Sequence, residues 1–516
     1  MPKRSSKHAI LDQRNVVPTG GLDLSVPANA LADNALSRAF NWWHEPERGL
    51  CVRQGLARED VEVFAYPVLA LHPYVDAVGT LHLLAVSEGK IWRRTGATWT
   101  LVKALTSTTV VPSFLDFNGV CVVADEGDTG LWYYNGVADS TAYISGSPAN
   151  PRALTTIGNR IVCASASQVD LVYFSGPEDY ADWATADPGA ALVIPAGFGD
   201  GADVVGFAVI YTILIIAKVK KDDDGNMTSR ALYYIQTSGT PDQWSGDRLS
   251  ASNTALCPHS IASVGQTAYM IDDNGFKAVA PTPNGQYGDV GVDPLIGLRI
   301  NRLIAAAVQN ADYCAVQYVH SLAQLWVLVR SGSSVRMVVW HPVVGYFTQL
   351  DFGTFRPRAF CEVGGVVYIA GDDGVLFRFS NKGTDELADG VESNIAASLR
   401  TKTFEGLGGD LIMKRCKIVT EPIRPATIII ESFIPETNTS VTFGTLTTSS
   451  GNAAQPLYDA LDLLADADYK LGDVQAQSKP VFSGNVRASG IAVQIRVLGG
   501  RVVFNSLTAE FAVVGR

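Results

Sequence analysis

Apolar residues along this chain come in short runs of about five, the length of an ordinary strand. The runs are rich in Val, Ile, Tyr, Phe and Trp and are bounded by clusters of Gly, Asp, Asn and Pro. Almost nowhere do apolar positions recur with the 3.6-residue period of an amphipathic helix, so the pattern predicts an all-β chain. One unit is written repeatedly. "GTLHLLAVSEG" opens at Gly79 with Trp92 beyond it, and "GVCVVADEGDTG" opens at Gly119 with Trp132 beyond it. "GQTAYMIDDNG" opens at Gly265 and is followed by Phe276; "GGVVYIAGDDG" opens at Gly364 and is followed by Phe377. "GNRIVCASASQVDLVYFS", from Gly158, is a related unit without the second Gly. Each reads as a turn, an apolar strand, an acidic Gly-containing turn and a strand with an aromatic. That is a β-hairpin whose turns need positive φ.

The spacing predicts how the hairpins assemble. Gly79 to Gly119 spans 40 residues, Gly119 to Gly158 spans 39, and Gly265 to Gly364 spans 99, enough for two units. Two weaker units lie at 204–235, lengthened by "KKDDDGN", and at 313–340. A repeat of about 40–50 residues with about four strands predicts a β-propeller. About seven blades (six to eight) fit into residues 61–380. Residues 381–397, opening with "NKGTDELADG", read as a linker. Residues 398–516 stay β without the repeat; strand candidates at 398–404, 414–420, 426–433, 440–445, 491–497 and 501–504 predict a C-terminal β-sandwich-like domain. A long polar, acidic loop, 449–479, interrupts it and carries "YDALDLLADADY". Residues 1–60 read as an N-terminal docking arm, with turns at Gly20-Gly21 and Pro27, a short helical stretch near 31–40 and a strand-like return to Arg53. Such an arm must lie on its own propeller or on a neighbouring subunit.

Composition narrows the function. The net charge of −11 over 516 residues is unlike that of a basic duplex reader, although an acidic wall suits DNA that must slide without sticking. Seven cysteines form no C-x-x-C, and an odd count cannot be a complete disulfide framework. The histidines show no ligand spacing and no Gly-rich phosphate loop occurs, so neither metal nor cofactor is expected. The stretch 204–219, "VVGFAVIYTILIIAKV", is short of the roughly 20 residues of a spanning helix and is β-branched, so it reads as buried β structure and no membrane-spanning segment is expected. Lys3, Arg4 and Lys7 precede no apolar run, so no secretory signal is expected. The acidic turns (Glu88, Asp125, Glu126, Asp128, Asp272, Asp273, Asp372, Asp373) could supply a glycosidase carboxylate pair. Their recurrence in successive blades favours turn formation, because catalysis needs unique residues. Trp92, Trp132, Trp183, Trp244, Trp326 and Trp340, about one per blade, suit blade packing or, alternatively, carbohydrate stacking. No catalytic residue is assigned and no enzyme activity is expected.

The arm carries the most specific signal. In "GGLDLSVPANALADNALSRAFNWWHEPERGLCVRQG", the residues Gly20-Gly21-Leu22, Pro27, Asp33-Asn34, Asn41, Gly49 and Arg53-Gln54-Gly55 form a motif. With the propeller-like repeats and the closing "SLTAEFAVVGR", it resembles the head-to-tail stabilisation and tail hub (nozzle) proteins of short-tailed bacteriophages. Gln54 stands where that family often has Pro. The resemblance implies a structural virion protein in the phage tail, assembled in the host bacterial cytoplasm as a homo-oligomer, commonly a hexameric ring. It implies portal and adaptor proteins and tail fibre or spike proteins as partners, and packaged double-stranded DNA retained and then conducted without sequence-specific contact. On that reading Leu22, Leu24, Trp42, Trp43 and Arg53 are candidate assembly contacts. Tyr458, Asp459, Asp462, Asp466 and Asp468 are then candidates for a channel loop. The alternative is a carbohydrate- or receptor-binding propeller module of a tail.

Overall fold

A computed structural model of the chain describes residues 10–59, 62–127, 129–137, 141–184, 191–197, 199–222, 227–282, 290–309, 311–405, 409–447, 473–475 and 488–515. The repeated hairpins become seven four-stranded antiparallel blades. Their innermost strands are Ala70–Val75, Ser113–Phe117, Pro151–Ile157, Asp203–Ile210, Ile261–Val264, Tyr313–Val319 and Pro357–Val363, which define blades 1 to 7 in chain order. The second strands, such as Val120–Ala124 and Arg160–Ser165, are buried along their whole length because a neighbouring blade covers each face. The apolar stretch at 204–219 is the hairpin Asp203–Ile210 and Ile213–Lys221 of blade 4, as its β-branched composition predicts.

The ring closes. The innermost strand of blade 7 packs against that of blade 1. Blade 7 takes its fourth strand from the other end of the chain: Gly55–Arg58 pairs antiparallel with Leu376–Ser380. The added strand covers the edge that Leu376–Ser380 would otherwise leave open.

The remaining strands stack into two sheets. The long strands Gly409–Arg424 and Arg501–Gly515 pair through most of their length. With Ile10–Val16, Trp42–Glu45, Gly49–Val52 and Asp473–Gln475 they make a six-stranded sheet. The second sheet begins as blade 6 and runs on through Gly21–Leu22, Ala35–Phe40, Ala396–Thr401, Gly490–Leu498, Thr427–Ile434 and Thr439–Thr447. Trp42, Met413, Ile418, Ile430, Val493, Phe504 and Phe511 belong to one core that continues into blade 6 through Val316 and Val327. The terminal strands fall where expected and most are longer, but the first runs Ala396–Thr401 and a separate short strand, Phe404–Glu405, follows it.

One expectation is corrected. Residues 31–40 hold no helix: Ala35–Phe40 is a strand, paired with Ala396–Thr401 on one side. Its Ala, Leu and Arg tolerate a helix, but the open sheet edges beside it decide the outcome. Of the two resting places expected for the arm, residues 10–58 take the one within their own chain, since their strands enter both stacked sheets and blade 7. The linker holds a hairpin of Thr384–Glu386 and Glu392–Asn394. A helix, Asn301–Val308, joins blades 5 and 6 with Ile304 and Val308 buried.

Candidate functional site

Three places bring chemistry-bearing side chains together: the propeller axis, the seams between blades, and the junction where the arm enters the fold. The axis is narrow. A chamber of about 220 Å³ is lined by the innermost strands of blades 1, 2, 5, 6 and 7, with His72, Phe114, His259, Tyr313, Gln317 and Arg358 among its walls. The turn Pro258–Ser260 contributes to its wall, and the His259 Nε2 lies 3.3 Å from the Val111 carbonyl oxygen. Burial lowers the His259 pKa, and the Val111 carbonyl only partly offsets this. A duplex, whose major groove alone is about 12 Å wide, does not enter such a chamber.

At the seams, the acidic turns do two things. Their carboxylates shape the turn: Asp125 Oδ1 accepts from Gly127 N at 3.1 Å, Asp272 Oδ1 from Asn274 N at 2.8 Å and Asp373 Oδ1 from Val375 N at 3.2 Å. That matches the turn-forming reading. Several acidic residues also hold a cation of the next blade, which the sequence reading missed. Arg152 of blade 3 meets Glu126 of blade 2 at 2.8 Å and Asp203 of blade 4 at 3.0 Å. Lys218 of blade 4, fully buried, meets Asp170 of blade 3 at 2.9 Å and Asp200 at 2.8 Å. Arg230 of blade 4 pairs with Asp273 of blade 5. Arg330 of blade 6 meets Asp372 of blade 7 at 2.9 Å, and Arg358 of blade 7 pairs with the same carboxylate. Burial pushes the Asp372 carboxyl up, but the two guanidiniums outweigh burial and hold it below the usual range. Glu59, just past the closing strand, bridges Arg94 of blade 1 at 3.0 Å and Arg378 of blade 7 at 2.8 Å. Asp128 lies outside the described residues.

The arm motif is a fastening. Arg53 is almost fully buried and forks onto Asp385 of the linker hairpin, with Nη1 at 2.8 Å from Oδ1. Its Nη2 donates to the Asp351 carbonyl at 3.0 Å, its Nε to Asn41 Oδ1 at 3.1 Å, and its guanidinium lies 4.5 Å from the Phe352 ring centre. Asp385 also accepts from Leu56 N at 3.0 Å, and Asn41 Nδ2 donates to the Ala396 carbonyl at 2.9 Å. One cluster therefore joins the arm, blade 6, the closing strand and the linker. A second gathers on Glu45, which accepts from Trp43 Nε1, Gln54 Nε2, Arg48 and Arg501. Burial alone raises the Glu45 carboxyl, but Arg501 and the other donors bring it below its ordinary value.

Four of the five candidate assembly contacts are corrected accordingly. Trp42, Trp43 and Arg53 are buried in their own chain, as is Leu22, and Leu24 packs partly buried against the same core. Trp43 stacks on Trp326 at 6.3 Å and lies 5.5 Å from Phe379. An aromatic pair beside a buried arginine belongs to a core when strands close over it, and only the tertiary pairing supplies those strands. The channel-loop candidates Tyr458, Asp459, Asp462, Asp466 and Asp468 lie outside the described residues.

The cysteines are all free. Burial pushes the Cys51 thiol up to about 12 although Arg501 opposes it, takes Cys416 to about 12, and raises Cys121, Cys163, Cys314 and Cys361 as well. Thiols held protonated this firmly are poor nucleophiles unless a bound cation displaces the proton. Trp132, Trp183 and Trp326 are buried in blade packing. No helix among the described residues is long and apolar enough to cross a membrane.

The geometry defines a closed seven-bladed β-propeller joined to a β-sandwich-like unit. No family model matches the chain, and no curated protein matches it. Among solved structures it is similar to BamB from Moraxella catarrhalis, at 12% identity and a TM-score of 0.36, covering 64% of this chain and 97% of that one. It is also similar to YCF48 from Cyanidioschyzon merolae, at 12% identity and a TM-score of 0.39, covering 63% of this chain and 98% of that one. The propeller assignment rests on the blades themselves.

Proposed function

We propose that this chain is a structural virion protein of a short-tailed phage, a tail hub or nozzle without catalysis. It assembles as a ring, with six copies expected, below the portal and adaptor, where it retains packaged DNA and conducts it during ejection. The observation that carries this reading is the fastening of the arm. Asn41, Arg53 and Gly55, three of the residues on which the family resemblance rests, sit where arm, propeller and linker are tied together, as a part that must transmit force without coming apart requires. Passage of DNA then uses the lumen between subunits, since the propeller axis is too narrow. A net charge of −11 per copy supports sliding, because a wall poor in Lys and Arg gains little from counterion release.

Imaging of purified tails and of the isolated protein tests the reading. A ring at the base of the connector, labelled by an antibody to this chain, is the expected result. A monodisperse monomer that never enters tails overturns it. The carbohydrate-binding alternative loses three of its stacking candidates to the core, and selective binding on a glycan array would revive it.

A further inference from the structure

We propose that His72, Asp116 and Cys121 form a divalent-metal site of the zinc type, stapling blade 1 to blade 2 beside the propeller axis. Their ligand atoms all lie within 4.8 Å of one another. His72 Nε2 is 2.8 Å from Asp116 Oδ1. His72 stands on the innermost strand of blade 1, and Asp116 on that of blade 2. Cys121 is directly opposite Asp116 on the next strand of the same blade. Directly opposed residues of an antiparallel pair keep their Cβ atoms about 4.5–5.5 Å apart, so strand register holds two of the donors together. The third is delivered by the packing of one blade on the next. No motif spacing reveals such a set, because the donors come from two blades.

The donor set selects the ion. Thiolate with imidazole and carboxylate suits Zn²⁺ or Co²⁺ and disfavours Mg²⁺ and Ca²⁺, which want oxygen. Tetrahedral bonds of about 2.0–2.3 Å place donors roughly 3.3–3.8 Å apart, within reach of small side-chain rotations from the present positions. Water would complete the fourth position. The His72 ring is held by stacking on Phe114, with centres 4.9 Å apart and planes 10° from parallel. His72 also lines the axial chamber, which gives an ion a way in, while Cys121 closes the site on its dry side. On binding, the ion takes the place of the His72–Asp116 hydrogen bond and of the Cys121 thiol proton. That proton is released to solvent and nothing is oxidised or reduced.

The test is titration of the full chain with Co²⁺ under reducing conditions. The expected result is a stoichiometric thiolate-to-cobalt charge-transfer band in the near ultraviolet, bleached by Zn²⁺. Cys121→Ser abolishes the band, whereas Cys257→Ser, at the half-buried cysteine before blade 5, keeps it. His72→Gln and Asp116→Asn each weaken Co²⁺ binding by more than about tenfold, the least expected of a lost ligand when outer-shell changes already cost 10–100-fold. These two variants carry the test if Cys121→Ser does not fold. Zn²⁺ raises the thermal midpoint of the unaltered chain and not that of His72→Gln. Absence of the band at stoichiometric Co²⁺, a band undiminished in Cys121→Ser, or equal affinity in His72→Gln overturns the proposal.

Discussion

Arg53 shows what a single side chain holds in this molecule. It is a buried guanidinium whose partner, Asp385, is 332 residues away and also buried. Removing one member of such a pair strands the other charge, at a cost of about 3–5 kcal/mol. Arg53→Met is therefore expected to lower the free energy of urea unfolding by that amount. Adding Asp385→Leu should recover most of it, and a double-mutant cycle in urea checks both. The seam carboxylates give a pH dependence. Asp372 is held below its ordinary value of 3.8 by Arg358 and Arg330, against the opposing pull of burial. A depressed carboxyl contributes its full stability above the unfolded value and loses it as pH falls through the folded one. Urea midpoints should thus drop below about pH 4, and the drop should be shallower in Asp372→Asn. An equal slope in the variant would remove Asp372 from the account. The sequence marks both residues as noteworthy, Arg53 as a contact and Asp372 as a turn former. It cannot name their partners, because an ion pair leaves no periodic trace.

Among the elements, Gly55–Arg58 does the most with the fewest residues. It is the fourth strand of blade 7 and packs against the linker hairpin. A Cβ on Gly55 would sit 2.0 Å from the Thr384 carbonyl oxygen, so the closing strand starts at a residue without one. Gly55→Ala is expected to cost about 1–3 kcal/mol through overpacking, read from the thermal midpoint. Deleting residues 1–58 goes further, since Leu376–Ser380 then becomes a bare sheet edge. Aggregation by light scattering and early proteolysis within blade 7 are the expected signs; a monomeric, protease-resistant truncation would mean that closure does not depend on this strand. The repeat was legible because a hairpin is local. The closing strand was not, because "GLAR" holds no alternation and its partner lies more than three hundred residues on.

For the whole molecule, charge and closure act together. Seven blades sewn first to last make a stiff disc, and ion pairs cross the seams between blades 2 and 3, 3 and 4, 4 and 5, 6 and 7, and 7 and 1. If the hub reading holds, the assembled protein should not grip duplex DNA. Filter binding from about 50 to 200 mM salt is expected to show no affinity tighter than about 10⁻⁴ M, the weak end of non-specific binding. Micromolar binding with a steep salt slope would contradict a wall built for sliding.

Local order came from the residues alone. The turn glycines, the five-residue apolar runs and the 40-residue spacing determine strands, hairpins and a propeller of about seven blades, because each depends on neighbours in the chain. Tertiary structure decided the rest. It converted an expected helix at 31–40 into a strand, drew the arm into both stacked sheets, and placed Trp42, Trp43 and Arg53 inside instead of on a partner. Those outcomes depend on which open edge a distant segment finds, and pairing between strands hundreds of residues apart is set by the assembled fold and not by local pattern.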